Sequence, residues 1–263
     1  MDFSFIDKMQ QQRLSQARLT STELHNRPTL LFVHGGFHGA WCWSQYLEFF
    51  VQRAIPAAAI DLRGHGGLPA PPDFARAGVA EMAADITEAA AALKTPVILV
   101  GHSLGALAAM AAAEHVRPSG IIMIAPAPPA NVDVRLMPPF PSEKLISPPP
   151  PDRANRWFLQ GYHRMDIDPY LARLCPESPA FLNDCYRRTI SVQPSWVQGP
   201  TLCISAALDD TPLHPAGQDQ AVAEFFGAEL QTIPEAGHCL MLDDTLKISA
   251  EVIAAWLKRN KLQ

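Results

Sequence analysis

The chain has 263 residues, of which 48% are hydrophobic and 18% are charged, and its formal net charge at pH 7 is −5. This length allows either one large α/β domain or two small domains, and the composition is typical of a soluble globular protein. The modest negative charge gives no reason to expect nucleic acid or an anionic membrane surface as a partner.

The N-terminal segment and the cysteines bear on the cellular location. Met1 to Arg27 is polar and lacks the apolar core of a signal peptide, and no apolar run is long enough to cross a bilayer. The five cysteines are widely spaced, without a Cys-x-x-Cys pair, which is typical of reduced thiols. We therefore expect a cytoplasmic protein with no membrane partner.

Short apolar runs alternate with stretches of helical spacing along most of the chain. Strands are predicted at Thr29–Val33, Ala57–Ile60, Pro96–Val100, Gly120–Ile124, Thr201–Ile204 and Leu230–Ile233. Helices are predicted at Trp43–Ala54, Val79–Leu93, Ala106–Ala113 and about Leu246–Lys258. This alternation predicts an α/β fold with a mostly parallel, doubly wound sheet that is covered by helices on both faces.

The alternation breaks between about residues 127 and 194. Ten of the 25 prolines lie from Pro126 to Pro151, and because proline lacks the N–H that a central strand needs, this stretch is not expected in the sheet. Helical spacing returns at Arg153–Tyr162 and Pro179–Arg188. We interpret residues 127–194, called the insertion below, as a helical, proline-rich cap within a single domain of residues 1–263.

The run Gly101-His102-Ser103-Leu104-Gly105 follows an apolar strand and leads into an alanine-rich helix. A sharp strand-to-helix turn needs small residues on both sides of the serine, since two backbones come close there. Such a turn exposes the serine hydroxyl at the carboxyl edge of the sheet, above a helix N-terminus. Ser103 is therefore the candidate nucleophile.

A serine hydroxyl needs a base within hydrogen-bond reach and a carboxylate that orients the base. His238 follows the strand Leu230–Ile233 in a loop of small residues and is the candidate base. The loop after Thr201–Ile204 supplies two adjacent acids. Counting forward from the strand favours Asp209, whereas counting back from Pro212 to Pro215 favours Asp210. We take Asp209, because loops absorb insertions and strands do not.

Four motifs follow one another in the order Val33-His34-Gly35-Gly36, Gly101-His102-Ser103-Leu104-Gly105, Asp209 and Gly237-His238. In this order the chain resembles the α/β-hydrolase superfamily from about Pro28 to Leu257. The segment His38-Gly39-Ala40-Trp41-Cys42-Trp43 also resembles small bacterial esterases and the plant methylesterase and hydroxynitrile lyase branch. The resemblance implies Ser103 as nucleophile, His238 as general base and then acid, and Asp209 as the orienting acid. It also implies an oxyanion hole formed by the backbone amides of Gly36 and Leu104.

The remaining histidines and the cofactor motifs have simpler interpretations. We expect His34, His102 and His65 to support loops, His115 to lie at a helix end and His214 to face solvent. The spacing of His, Cys, Asp and Glu does not match a metal site, and no Gly-x-Gly-x-x-Gly follows a strand. We therefore predict no metal and no cofactor.

We predict that these residues catalyse hydrolysis of a carboxylic ester or lactone through an acyl-enzyme. Phe37, Trp41, Trp157 and Phe158 predict an apolar pocket for a small or medium substrate molecule. Two alternatives stay open: a cofactor-free lyase or ring-cleaving dioxygenase that uses the His–Asp pair as a base, and a non-catalytic ligand-binding protein. The insertion or an edge strand could also support a homodimer.

Overall fold

A computed structural model describes residues 14–17, 27–134, 138–140, 143–160 and 167–263. Most of the polar segment Met1 to Arg27 and the predicted helix end at Tyr162 lie outside the described residues. Between residues 127 and 194, the described part includes both flanks of the proline-rich stretch and the two predicted helices.

The described strands form one seven-stranded sheet in the order β1-β3-β2-β4-β5-β6-β7. Their bounds are β1 Leu14–Ala17, β2 Thr29–Val33, β3 Ala57–Ile60, β4 Val97–His102, β5 Gly120–Ile124, β6 Thr201–Ala206 and β7 Glu229–Ile233. β1 pairs antiparallel with β3, and the other six strands are parallel. The parallel arrangement brings the carboxyl ends of β2, β4, β6 and β7 to the same edge.

Helices cover both faces of the sheet. Their bounds are α1 Ser44–Val51, α2 Val79–Leu93, α3 Leu104–Val116, α4 Pro151–Phe158, α5 Asp168–Leu171, α6 Pro179–Tyr186, α7 Gln218–Phe226 and α8 Leu246–Arg259. Side chains alternate along β2: Leu30 and Phe32 belong to the core cluster on the face covered by α1 and α8, whereas Leu31 and Val33 belong to the cluster on the face covered by α2, α3 and α7. None of the described helices is both long and apolar enough to cross a membrane.

The predicted fold class is confirmed, and most element bounds agree within two or three residues. β2, β3, α2 and β5 have the predicted bounds. α3 is longer than predicted at both ends, because its first turn begins at Leu104, directly after the serine. α1 ends three residues early at Val51, where the chain turns back toward β3.

The insertion contributes the helices α4, α5 and α6 between β5 and β6. The described residues of the proline-rich stretch lie outside the main sheet, as predicted, and among them Ile146 makes an isolated antiparallel bridge with Glu177. In this bridge each residue's N–H donates to the other's carbonyl over 2.8 Å. A single bridge needs only one N–H from each partner, so the neighbouring prolines do not prevent it.

The turn between β4 and α3 brings two backbones into direct contact. A Cβ added at Gly105 would lie 2.1 Å from the carbonyl oxygen of His34, at the end of β2. A Cβ at Gly101 would lie 2.4 Å from the Cα of Ala106. Both positions therefore need glycine, which confirms the reason for predicting a tight turn here.

We expect Gly105→Ala to lower the free energy of unfolding by about 3 kcal/mol, because the added methyl group clashes with backbone that cannot move aside. Gly227→Ala is the matched control. Gly227 has φ of 60°, but nothing lies within 4 Å of its added Cβ, so only about 1 kcal/mol of backbone strain is expected. Urea unfolding followed by circular dichroism measures both values, and equal losses would contradict the close contact.

Candidate active site

Ser103 occupies a strained backbone conformation at the carboxyl end of β4. Its φ is 52° and its ψ is −125°, a combination that costs energy for a residue with a side chain. Three backbone hydrogen bonds of 3.0 Å hold it: its N–H donates to Ile124, and its carbonyl accepts from Ala106 and Ala127. Ser103 therefore lies at a sharp strand-to-helix turn, as the sequence predicts.

Ser103 lines a cavity with about 600 Å³ of empty volume, part of which is open to solvent. The polar side chains at its wall include those of His38, His102, Thr211, His214, Gln218 and His238. The apolar wall includes Phe37, Leu104, Ala127, Trp157, Phe158, Leu182, Tyr186 and Leu213. Of the predicted pocket residues, Phe37, Trp157 and Phe158 thus line this cavity, together with the predicted nucleophile and base.

His238 is paired with Asp209. The Nδ1–H of His238 donates to Oδ2 of Asp209 over 2.5 Å, and both side chains are buried. Asp210 is exposed and accepts instead from the amide of Ala216 over 3.3 Å. Of the two acids that the sequence offered, Asp209 is therefore the one that contacts the histidine.

Asp209 is buried next to two imidazoles. Burial alone would raise the pKa of Asp209, but His238 and His214 outweigh that effect, so its pKa lies below the ordinary value. The carboxylate is therefore ionised at neutral pH. Gln160 of the insertion supports the same pair, since its Oε1 accepts from the backbone N–H of His238 over 3.0 Å.

The expectation that His214 faces solvent is wrong. His214 is only 4% exposed, and its Nε2 lies 2.9 Å from Oδ1 of Asp219 and 3.8 Å from Oδ2 of Asp209. Burial lowers the pKa of His214, but the carboxylates of Asp219 and Asp209 raise it to about 9. The sequence did not reveal this contact, because Asp219 lies on α7, which folds back toward the loop after β6.

Asp209, His214 and His238 bring their potential ligand atoms within 4.8 Å of one another, a cluster that sequence spacing did not predict. The three residues lie in loops that follow two different strands and come together at this sheet edge. The spacing of residues along the sequence does not show which loops are close in the fold. Three nitrogen and oxygen atoms of this cluster take part in hydrogen bonds: His238 Nδ1 donates to Asp209 Oδ2, and His214 Nε2 donates to Asp219. The absence of a metal here stays a prediction.

His34 and His102 contact neighbouring loops, as predicted. His34 is fully buried; its Nδ1–H donates to the carbonyl of Gly35 over 2.8 Å, and its Nε2 accepts from the amide of Leu62. His102 Nε2 donates to the carbonyl of His238 over 2.9 Å. Burial first, and then the neighbouring His238, keep the pKa of His102 well below the ordinary value, so it stays neutral.

The loop after β2 lies beside the start of α3. A Cβ added at Gly36 would lie 3.0 Å from Cδ1 of Leu104. The amide of Leu104 belongs to the first turn of α3, where N–H groups have no partner within the helix. The loop turns sharply at Phe37, whose φ is 65°. Gly36 and Leu104 both line the cavity next to Ser103.

Trp41 is not among the residues that line this cavity, which corrects its predicted role. It is 3% exposed, and its ring packs against His38 and Tyr170 with centroids 5.5 and 5.8 Å apart. Trp41 lies in a short 3-10 helix, Ala40–Trp43, that turns its side chains into the core beneath the loop. Trp41 therefore stabilises the loop after β2 from the core, through its contacts with His38 and Tyr170.

Three insertion residues near the site escaped the sequence analysis: Gln160, Tyr170 and Glu177. Tyr170 and Glu177 are completely buried, and both hydrogen-bond to the loop that carries Gly36 or to its histidine. For Glu177, the one signal in the sequence was an isolated acidic residue between two prolines, in Cys175-Pro176-Glu177-Ser178-Pro179. Nothing in the linear pattern showed which loop that acid would reach.

Comparison with solved structures gives close matches in fold. Tomato methylketone synthase I, in complex with 2-tridecanone, aligns with a TM-score of 0.71 over 89% of this chain and 99% of its own, at 17% identity. The methylesterase MES16 from Arabidopsis aligns with a TM-score of 0.69 over 87% and 98%, at 19% identity. At these identities the likeness concerns the fold.

Curated proteins match part of the chain at higher identity. Protein phosphatase methylesterase 1 of Mus musculus is 36% identical over 104 residues, 37% of this chain and 27% of the relative. The probable esterase PIR7A of Oryza sativa subsp. indica is 37% identical over 87 residues, 32% of this chain and 33% of the relative. The matches thus span about a third or less of these relatives.

The family comparison covers far more of the chain. Residues 30–251 match the alpha/beta hydrolase family, a range that contains all of the site residues described above. The resemblance predicted from the Gly-x-Ser-x-Gly turn and the later acid and histidine is confirmed. With its parallel sheet, strained serine turn and loops at one sheet edge, the chain belongs to the alpha/beta hydrolase family.

Proposed function

We propose that the protein hydrolyses a carboxylic ester or lactone of a small to medium apolar substrate through an acyl-enzyme on Ser103. The observation that carries this proposal is the buried hydrogen bond between Asp209 and His238, whose ring lines the same cavity as Ser103. The partial matches to proteins named as esterases support the same reaction class. A cytoplasmic location and a homodimer stay predictions.

The proposed reaction uses these residues in two half-reactions. Asp209 accepts the Nδ1–H of His238, which leaves Nε2 as the base. Ser103 Oγ attacks the substrate carbonyl while His238 takes its proton, and His238 then protonates the leaving alkoxide. A water molecule repeats the sequence on the acyl-enzyme, which releases the acid and restores Ser103.

Two backbone amides are proposed to stabilise the tetrahedral intermediate. The N–H groups of Gly36 and Leu104 lie on adjacent segments at the cavity wall. Donors that are fixed before the reaction favour the oxyanion most where water is excluded, and one such donor contributes on the order of 3 kcal/mol. The start of α3 adds its positive dipole end at the same point.

The cavity wall supports a neutral, mainly apolar substrate. Among the described residues that line it, there is no Lys, Arg, Asp or Glu, and the positive charge of His214 is balanced by the carboxylate of Asp219. Phe37, Trp157 and Phe158 supply aromatic surface, and the rings of Phe37 and Phe158 have centroids 6.4 Å apart. The helices of the insertion carry two of these three residues, which supports its proposed role as a cap over the serine.

We expect Ser103→Ala to lower kcat for p-nitrophenyl butyrate by at least about 10³-fold, because the acyl-enzyme cannot form. Steady-state absorbance of released nitrophenolate measures the rate. A base-driven lyase or oxygenase would keep most of its activity after this change, since His238 and Asp209 are intact. An active wild type whose Ser103→Ala variant retains its rate would thus contradict the proposed acyl-enzyme.

We expect Asp209→Asn to lower kcat for the same ester by about 10³- to 10⁴-fold, because the amide no longer favours the Nδ1–H tautomer of His238. Asp210→Asn is the matched control, since it makes the same chemical change at the adjacent, exposed position. Its kcat should stay within about twofold of the wild-type value. Equal losses in both variants would remove the reason for assigning Asp209.

We expect Trp157→Ala to raise KM for p-nitrophenyl octanoate by about 10-fold and that for the acetate much less, because only the longer acyl chain loses apolar contact. Trp196→Ala is the control, since Trp196 packs against the core and does not line the cavity. If Trp157→Ala leaves the dependence of KM on acyl-chain length unchanged, the acyl group does not contact Trp157 and this prediction is wrong.

A further inference from the structure

Two buried side chains of the insertion reach the loop that carries Gly36. We propose that Glu177 and Tyr170 are positioning residues for ester hydrolysis, and that they fix the peptide units around the Gly36 amide. This inference rests on the proposed function, in which that amide stabilises the oxyanion. It assigns the insertion a part in the chemistry, beyond shaping the pocket.

Glu177 holds the loop through the amide of Phe37. Its Oε2 accepts from the Phe37 N–H and from Nε2–H of His65, each over 3.0 Å. Its Oε1 accepts from the Ser178 N–H over 2.7 Å. All three partners are donors, and Glu177 is completely buried. An ionised carboxylate, which only accepts, satisfies this arrangement.

His65 supplies the compensating positive charge. Its Nδ1 faces the carbonyl of Arg63 at 2.9 Å and its Nε2 faces Glu177, so both ring nitrogens meet acceptors and both carry a proton. Burial lowers the pKa of His65, but the Glu177 carboxylate and the hydrogen bonds outweigh it and raise the value. The buried carboxylate is thus paired, and the pair links the loop after β3 to the insertion.

Tyr170 holds the same loop by way of His38. Nδ1–H of His38 donates to the carbonyl of Gly36 over 2.6 Å. Nε2 of His38 accepts from the hydroxyl of Tyr170 over 3.0 Å. Burial lowers the pKa of His38 to about 4, so the ring is neutral and has one donor and one acceptor nitrogen. Tyr170 therefore supports the Nδ1–H tautomer and the orientation of His38, together with the Cys239 thiol, whose Sγ lies 3.6 Å from the same Nε2.

The backbone around Phe37 is fixed from both sides. Its carbonyl accepts from the Cys175 N–H over 3.0 Å, two residues before Glu177. The bridge between Ile146 and Glu177 anchors this segment in turn. Phe37 has a positive φ, a conformation that persists only where surrounding contacts enforce it. The insertion supplies those contacts.

The geometry of the peptide then determines where the Gly36 amide points. His34 donates to the carbonyl of Gly35, in the same peptide unit as the Gly36 N–H. Because a trans peptide directs its N–H and C=O oppositely, this bond turns the Gly36 N–H away from His34. His38 and Glu177 fix the following peptide unit, so rotation about Gly36 is restrained on both sides.

The test is the full chain with Glu177→Gln and, separately, Tyr170→Phe. The glutamine places an amide NH₂ against donors in either orientation: at the Oε2 position it faces the Phe37 N–H and His65, and at the Oε1 position it faces the Ser178 N–H. We expect kcat for p-nitrophenyl butyrate to fall by about 10- to 100-fold, with KM within about threefold of wild type. Tyr170→Phe should lower kcat less, by about 3- to 10-fold, because His38 keeps its bond to Gly36.

A second readout separates positioning from general damage. A trifluoromethyl ketone adds to the serine and places an oxyanion at the proposed site, whereas the product butyrate does not add. The inhibition constant of the ketone should rise by the same factor as kcat falls, while inhibition by butyrate should not change. Asp184→Asn is the matched control: Asp184 also lies in the insertion and accepts a backbone amide, that of Val79, but it does not contact the loop.

The outcomes are distinct. Folded Glu177→Gln and Tyr170→Phe variants with wild-type kcat and ketone inhibition would overturn the inference and leave the proposed function intact. If near-ultraviolet circular dichroism shows that Glu177→Gln does not fold, Tyr170→Phe alone decides. A wild type that neither hydrolyses esters nor binds the ketone would overturn the proposed function and, with it, the role of Glu177 and Tyr170.

Discussion

The contact between the start of α3 and the end of β2 is the constraint on which the site depends. Gly105 lies against the carbonyl of His34, closer than any side chain would permit. This approach forces Ser103 into its strained conformation and brings the first amides of α3 beside the loop of Gly36. The position of the nucleophile and that of the proposed oxyanion donors therefore have one structural cause, which is backbone packing at the centre of the sheet.

The other polar side chains of the site lie on separate chain segments around this turn, and buried polar contacts hold them in place. Asp209 and His238 come from loops after β6 and β7, and their short hydrogen bond joins those loops. Glu177 and His65 join the insertion to the loop after β3. Buried charges of this kind are costly unless paired, so each pair restricts the relative position of its two segments. The site is thus assembled by polar contacts between segments that are far apart in sequence.

The sequence predicted what depends on local pattern. Apolar runs such as Thr29–Val33 identified the strands, and the glycines around Ser103 identified the turn. The order of Ser103, Asp209 and His238 followed from their places after β4, β6 and β7. In each case the physical cause, either burial on both faces of a sheet or a close backbone approach, acts on a few adjacent residues and so is visible in the sequence.

Contacts between distant segments could not be predicted in the same way. His214 was expected in solvent. Its contact with Asp219 was not visible in the sequence, because only the tertiary packing of α7 brings Asp219 to the loop that carries His214. Trp41 was expected in the pocket because its motif places it near the loop, whereas the 3-10 helix turns it into the core. Glu177 and Gln160 were missed because the path of the insertion determines what they reach.

The central claim is that Ser103 is an activated nucleophile whose base is His238. Its most direct test is intact-protein mass spectrometry after exposure of the wild type, Ser103→Ala and His238→Ala to a fluorophosphonate. We predict one adduct on the wild type, located at Ser103 by peptide mapping, none on Ser103→Ala, and a labelling rate at least about 10²-fold lower on His238→Ala. A folded wild type that forms no adduct, or an adduct that persists in Ser103→Ala, would contradict the account.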